Sequence, residues 1–183
     1  MSPDPLQGGT TLTRITALTH EQAPAAAKAA LQGIEKGLGF VPNAFATLAH
    51  SPAALGGYLA LSQALGKNSL SAAERETAAL AASQVNGCDY CVAAHSYLGG
   101  KAGLGADALL AARAGTLDGV AALARAITLS RGQISDAQLA AARDAGLDDA
   151  KIIDVVAQVA LLTLTNYLNN VAHTDIDFPP RAK

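Results

Sequence analysis

Tryptophan is absent from this chain, phenylalanine occurs three times, and aromatic residues make up only 4% of its 183 positions. A core built without large rings draws its apolar bulk from Ala, Leu and Val, a composition that suits closely packed helices and predicts an all-α fold. Charge is scarce as well: Asp, Glu, Lys and Arg are 15% of the residues, against 50% apolar, and mean hydropathy is +0.23. So few charges leave apolar surface to be covered between subunits, so a homo-oligomer is expected. With a net charge of −2 there is no basic excess to neutralise phosphates, which excludes nucleic acid as a partner.

Long hydrophobic runs are missing too. The most apolar stretch, "IIDVVAQVALLTLT" from Ile152, is interrupted by Asp154 and Gln158. It reads as too short and too polar to cross a bilayer, and as a buried core helix. The opening "MSPDPLQGGTTLTR" has neither the basic nor the apolar region of a signal peptide, so a cytoplasmic protein without membrane association is expected. No linker rich in Pro, Gly or Ser divides the chain, and residues 1–183 read as one domain.

Punctuation residues set out the elements. The first 18 residues, rich in Thr, Gly and Pro, predict an extended arm, followed by a helix from Glu21 to Lys36 that Gly37 and Gly39 end. Pro42 and Pro52 each read as a first helical position, the second capped by Ser51, with that helix reaching Leu65. Ser71 and Glu74 form a capping-box pattern for a helix over Ala72–Val85, stopped by Asn86 and Gly87. A helix from Cys88 to Leu98 follows, weakened by Gly99, Gly100 and Gly103; shorter helices are expected over 106–114, 117–130 and 136–145, the last capped by Ser135. Asp148 opens a long helix to Val171. "AGLGADALL" from Ala102 echoes "AGLDDAKII" from Ala145, so a duplicated helical unit and a chance likeness of Ala-rich stretches both stand open.

The only two cysteines, Cys88 and Cys91, are three apart, and His95 follows four residues later. In a reducing cytosol that spacing points to catalysis or metal binding rather than a permanent staple. On a helix, Cys91 lies ~60° from Cys88, with His95 between them in projection. Two cysteines at i and i+3 can approach disulfide distance. His95 is placed to take a proton from Cys91, while the helix N-terminus favours the thiolate of Cys88, so geometry alone leaves the nucleophile open. In the preceding helix, Glu76, Ala79, Leu80 and Ser83 share one face, where a carboxylate reaches His95 and orients it.

Other readings of the same residues are a purely structural pair, and a zinc site of Cys88, Cys91, His95 and Glu76, although only one cysteine knuckle is present. Glu74 reads as a cap, and His20, His50 and His173 as surface or cap residues. Asn166, Asn169 and Asn170 either line a site or fray the last helix.

The segment "ERETAALAASQVNGCDYCVAAHSYLGG", Glu74 to Gly100, resembles the core of the alkylhydroperoxidase D family, within the carboxymuconolactone decarboxylase superfamily. That pattern has a glutamate twelve residues before the first cysteine, a serine five before it, C-x-x-C, and a histidine four after the second; here these are Glu76, Ser83, Cys88, Cys91 and His95. "GFVPNAF" and "VVAQVALLTLTNYLNNVAHTDID" resemble the flanks of peroxidase-related members, so the likeness runs from Gly39 to Asp177. The resemblance implies an all-α protein assembling as a trimer or hexamer. It implies a peroxidase cycle in which Cys91 attacks a hydroperoxide, Cys88 resolves the sulfenic acid as a disulfide, and Glu76 and His95 relay protons, with Ser83 and Tyr90 in support and no cofactor or metal. It also implies a dithiol reductant, dihydrolipoyl or thioredoxin-like. Disulfide exchange without peroxide turnover, or metal or ligand binding by the same cluster, are the alternative activities. The superfamily's decarboxylases generally lack the cysteine pair. The family's peroxidases carry a second histidine between the cysteines where this chain has Tyr90, flanked by Asp89, whose charge is expected to raise nearby thiol pKa values.

Overall fold

Side-chain caps decide where most helices begin. The computed structural model describes residues 12–179, which contain nine α-helices and no strand. They are α1 (Ala25–Leu38), α2 (Asn43–Leu48), α3 (Pro52–Leu65), α4 (Ala72–Val85), α5 (Asp89–Lys101), α6 (Ala106–Ala114), α7 (Gly119–Ser130), α8 (Asp136–Asp144) and α9 (Asp149–Ala172). Ser51 caps α3, while Ser71 with Glu74 and Ser135 with Gln138 close reciprocal capping boxes on α4 and α8. Asp118 and Asp148 accept from the third residue beyond them to start α7 and α9. Each such cap is worth ~1 kcal/mol.

Several boundaries differ from expectation. α1 starts at Ala25 rather than Glu21, because Pro24 disfavours helical backbone at Ala23 and itself becomes the N-cap. Pro42 is likewise the N-cap of α2, not its first turn. α5 begins after Cys88 and runs through Gly99 and Gly100 to Lys101. Gly99 suits that helix for a packing reason: a Cβ there would sit 2.9 Å from a Leu109 methyl and 3.2 Å from a Leu104 methyl, so a larger residue would push these side chains aside.

α4 lies at the centre, against α5, α6, α7 and α9. Its run Ala78, Ala79, Leu80, Ala81, Ala82 is 0–1% exposed, and small side chains on every side let neighbouring backbones close in. A second cluster joins α1, α2 and α3 through Ala27, Leu31, Leu48 and Leu55. The arm expected before α1 lies partly outside the described residues. From Leu12 onward it is extended and docked: Arg14 and Ile15 N–H both donate to the Ala172 carbonyl (2.7 and 3.2 Å), and Leu18 N–H to Ala46 (3.3 Å). The two echoing stretches fold alike locally. Gly103 and Gly146 both have left-handed φ (96° and 88°), and Leu104 and Leu147 N–H each close back on a carbonyl five residues earlier, before the next helix opens.

α9 is longer than its apolar run suggested. Its 24 residues, at a hydropathy of 1.3, meet the length and composition of a membrane span, and half of that window is buried inside the protein. Its inner face carries Gln158, Thr165, Asn166 and Asn169 and packs on α2, α3, α4, α5 and α7, which makes it a core helix. Its outer face shows Ile153 (65% exposed), Val156, Leu164, Tyr167 (56%) and Val171 (60%), all within ~80° of arc.

Candidate active site

The link between α4 and α5 is short because Gly87 turns in the left-handed region (φ 62°) and Cys88 N–H returns to the Ser83 carbonyl at 3.0 Å. Cys88 is therefore not helical. It is the extended N-cap of α5, and its Sγ accepts the Cys91 N–H at 3.3 Å, filling the place where Ser or Asp normally caps. Both thiols are free and buried, Cys88 at 0% and Cys91 at 3% exposure. Their surroundings differ. A cavity of about 320 Å³ has Cys91 in its wall, together with Phe45, Tyr58, Glu76, His95, Asn169 and Phe178, while Cys88 lies outside that lining.

The carboxylate and the imidazole meet as the family pattern implies. His95 Nδ1–H donates to Glu76 Oε2 at 2.7 Å, with the two side chains 17% and 20% exposed. Burial of His95 works against its charged form, but the Glu76 charge and hydrogen bond outweigh burial and raise its pKa. Cys91 moves the other way. The hydrogen bond from Cys88 lowers its pKa most, and His95, Asn169 and Asn166 add to this against burial. Cys88 is pushed up by its bond to Cys91, by burial and by the Cys91 charge. At Cys88 these effects outweigh the helix N-terminus. Asp89 does not hold the Cys91 thiol up either, since its side chain is exposed and screened by water.

The remaining expected residues sit one contact further out. Ser83, fully buried, accepts from Asn166 Nδ2 at 3.1 Å and so braces α9 rather than touching a thiol. Tyr90, 5% exposed, donates its hydroxyl to Asp177 Oδ1 at 2.7 Å and accepts from Ala44 N–H at 3.2 Å. Asp177 Oδ2 also accepts the Asn43 N–H at 2.7 Å, which pins the chain after α9 across the start of α2. That segment carries Phe178, whose ring lies 5.4 Å from Phe40, 6.0 Å from Tyr90 and 5.9 Å from Tyr97, so it walls the cavity. Burial, and then the charges of Cys91 and Glu76, push Tyr58 up to about 12, so its phenol stays protonated in that wall.

The asparagine cluster does not fray the helix. Asn169 Nδ2 donates to Cys91 Sγ at 3.3 Å, Asn86 Nδ2 to Asn166 Oδ1 at 2.9 Å, and Asn170 Nδ2 to the Asn86 carbonyl at 2.8 Å. Asn169, Asp177, Tyr58 and Phe178 escape reading by spacing, though the triple asparagine marked where to look. His173 is the left-handed C-cap of α9, and the exposed His50 bonds to the Thr16 carbonyl and His20 to Gln32, all away from the thiols. Among the described residues, no three His, Cys, Asp or Glu side chains converge as metal ligands.

Residues 52–127 match the carboxymuconolactone decarboxylase family. No curated protein matches the chain. Over nearly its whole length, the fold is that of solved structures. A peroxidase-related protein with an alkylhydroperoxidase AhpD core from Ralstonia eutropha JMP134 is 24% identical, over 91% of this chain and 93% of that one, with a TM-score of 0.80. A peroxidase-related protein from Silicibacter sp. TM1040 is 23% identical over 92% and 95%, at 0.75. The debrominase Bmp8 is 20% identical over 93% and 95%, at 0.76, and a cysteine-to-alanine variant of it is known in complex with 2,3,4-tribromopyrrole. The family match thus covers residues 52–127, and over nearly the whole chain the helical architecture is that of the AhpD-like, peroxidase-related structures.

Proposed function

We propose that this protein is a cytoplasmic thiol peroxidase that reduces hydroperoxides through the Cys88–Cys91 couple. The observation that carries the reading is the division of labour in the pair: Cys91 alone lines the cavity and is the thiol biased towards its anion, while Cys88 sits behind it as a protonated helix cap. In the first step Cys91 Sγ attacks the terminal oxygen of the hydroperoxide, an S–O bond forms and the O–O bond breaks. The departing alkoxide takes a proton from the His95 imidazolium, which Glu76 orients and keeps charged. Cys88 then displaces water from the sulfenic acid, giving the disulfide, and an external dithiol, dihydrolipoyl or thioredoxin-like, restores both thiols. The two peroxidase-related structures support this reading, and the outward apolar face of α9 supports assembly as a trimer or hexamer.

A second reading has one observation in its favour, the apolar and aromatic wall of Phe45, Tyr58 and Phe178 beside Cys91. With the debrominase likeness, it suits attack of the thiolate on the halogen of a bromoarene, the ring carbon taking a proton and Cys88 then expelling bromide to form the disulfide. Reduced protein given one equivalent of cumene hydroperoxide decides between them. Loss of both thiols as a Cys88–Cys91 disulfide, abolished by Cys91→Ser, is the expected result. Thiols that survive hydroperoxide but are consumed by a bromoarene, or by lipoamide or insulin disulfide, overturn it.

A further inference from the structure

The two ends of the Asn169 amide have unequal fates. The side chain is 4% exposed; Nδ2 donates to Cys91 Sγ at 3.3 Å, and Oδ1 has no partner among the described residues. None of the hydrogen bonds made by the neighbouring amides reaches that oxygen: Asn166 Nδ2 donates to Ser83, Asn86 Nδ2 to Asn166 Oδ1, and Asn170 Nδ2 to the Asn86 carbonyl. Nor does turning the amide over help, since that sets a carbonyl oxygen against the Cys91 thiolate. A buried carbonyl left without a donor is rare in a folded protein and calls for a reason. Here the orphan oxygen belongs to a residue in the wall of the cavity that holds Cys91.

We propose that Asn169 is a catalytic residue whose Nδ2–H holds the Cys91 sulfur while its Oδ1 accepts the O–H of the incoming hydroperoxide. The inference deepens the peroxidase reading and rests on it. One side chain then bridges nucleophile and electrophile and delivers the terminal, hydrogen-bearing oxygen to the sulfur. As the S–O bond forms and the O–O bond breaks, that hydrogen stays on its oxygen, so the sulfenic acid keeps the same hydrogen bond to Oδ1 until Cys88 displaces it as water. The alkoxide leaves with the proton from His95. The substrate class follows from the acceptor: the reacting oxygen must carry hydrogen, so hydroperoxides qualify and an electrophile without a donor gains nothing from Oδ1.

The test compares two reactions of the same thiol in reduced full-length protein, at a pH high enough that thiol loss no longer accelerates. One reagent is cumene hydroperoxide, the other methyl methanethiosulfonate, which has no hydrogen-bond donor. In Asn169→Ala the ratio of the hydroperoxide rate to the thiosulfonate rate is expected to fall at least fivefold from wild type; a smaller change overturns the role of Oδ1. Asn169→Asp keeps an acceptor and loses the donor, so its ratio is expected to stay within fivefold of wild type, and a larger loss also counts against the proposal. Asp at this site serves alone if the alanine variant does not fold by circular dichroism. A wild type that reacts with the thiosulfonate but with neither cumene hydroperoxide nor hydrogen peroxide refutes the peroxidase reading itself, whereas a reactive wild type with an unchanged Asn169→Ala ratio refutes only the role of Asn169.

Discussion

Replacing Glu76 by Gln keeps the size of the side chain and an acceptor oxygen, and removes the charge. The bond from His95 is 2.7 Å long and four-fifths shielded from water, so screening weakens it only in part. A hydrogen bond to a charged partner in such a place contributes ~2 kcal/mol, which converts to a rate loss of ~30-fold if the imidazolium is needed to protonate the leaving alkoxide. Glu76 is a positioning residue, since it acts through His95, and a pH profile separates that role from mere packing. Its charge raises the His95 pKa, so the alkaline limb of kcat/KM for cumene hydroperoxide is expected to move to lower pH in E76Q. Stability responds with a definite sign. Because the folded pKa of His95 is raised, the stabilisation is fully present below the ordinary histidine value of ~6.5 and fades as pH rises through the folded value, so E76Q loses more melting temperature near pH 6 than near pH 9. The readouts are stopped-flow peroxide reduction and thermal melts across that range. An E76Q enzyme within threefold of wild type, with its alkaline limb unmoved, would refute the proton-relay argument.

Cys88→Ser is expected to consume one equivalent of hydroperoxide and stop, leaving a sulfenic acid on Cys91 that dimedone labels in the mass spectrum; continued turnover with an external dithiol would remove Cys88 from the cycle. The Cys91 thiol is lowered, so the midpoint of its alkylation is expected below the ordinary cysteine value of ~8.5, with Cys88 unlabelled throughout; a midpoint at or above that value by iodoacetamide kinetics would contradict the assignment. Tyr167→Glu places a charge on the outward apolar face of α9, 56% exposed at that residue, and is expected to reduce the proposed trimer or hexamer to a smaller species by light scattering without lowering the helix signal. An unaltered mass would move the subunit contact elsewhere.

The helices were legible because their starts are written in cap residues a few positions from the turns they close. Ser71 with Glu74 and Ser135 with Gln138 need no tertiary knowledge, and α4 and α8 begin at the residues these boxes predict, although α8 ends one residue short of its expected stop. Cys88 was misplaced by that same logic. A thiol is not among the usual capping side chains, so a spacing rule extends the helix through it, whereas the structure caps α5 with its sulfur and sets it beneath Cys91. Periodicity sees only what lies three or four residues away, which sufficed to put Glu76 and His95 on facing sides of neighbouring helices. The partner of Cys91, Asn169, is 78 residues distant, and the partner of Tyr90, Asp177, is 87. Nothing in the local chemistry of either partner announces the pairing; both depend on α9 crossing α4 and α5 at one particular height. That height is set by the buried alanines of α4, with Ala79 and Ala82 packed in one cluster with Leu161 and Leu162 of α9, which brings the backbones close enough for short amide and carboxylate arms to reach. The thiol chemistry is therefore local in sequence, while the side chains that hold the anion and wall the cavity are supplied by the packing of the last helix and the segment after it.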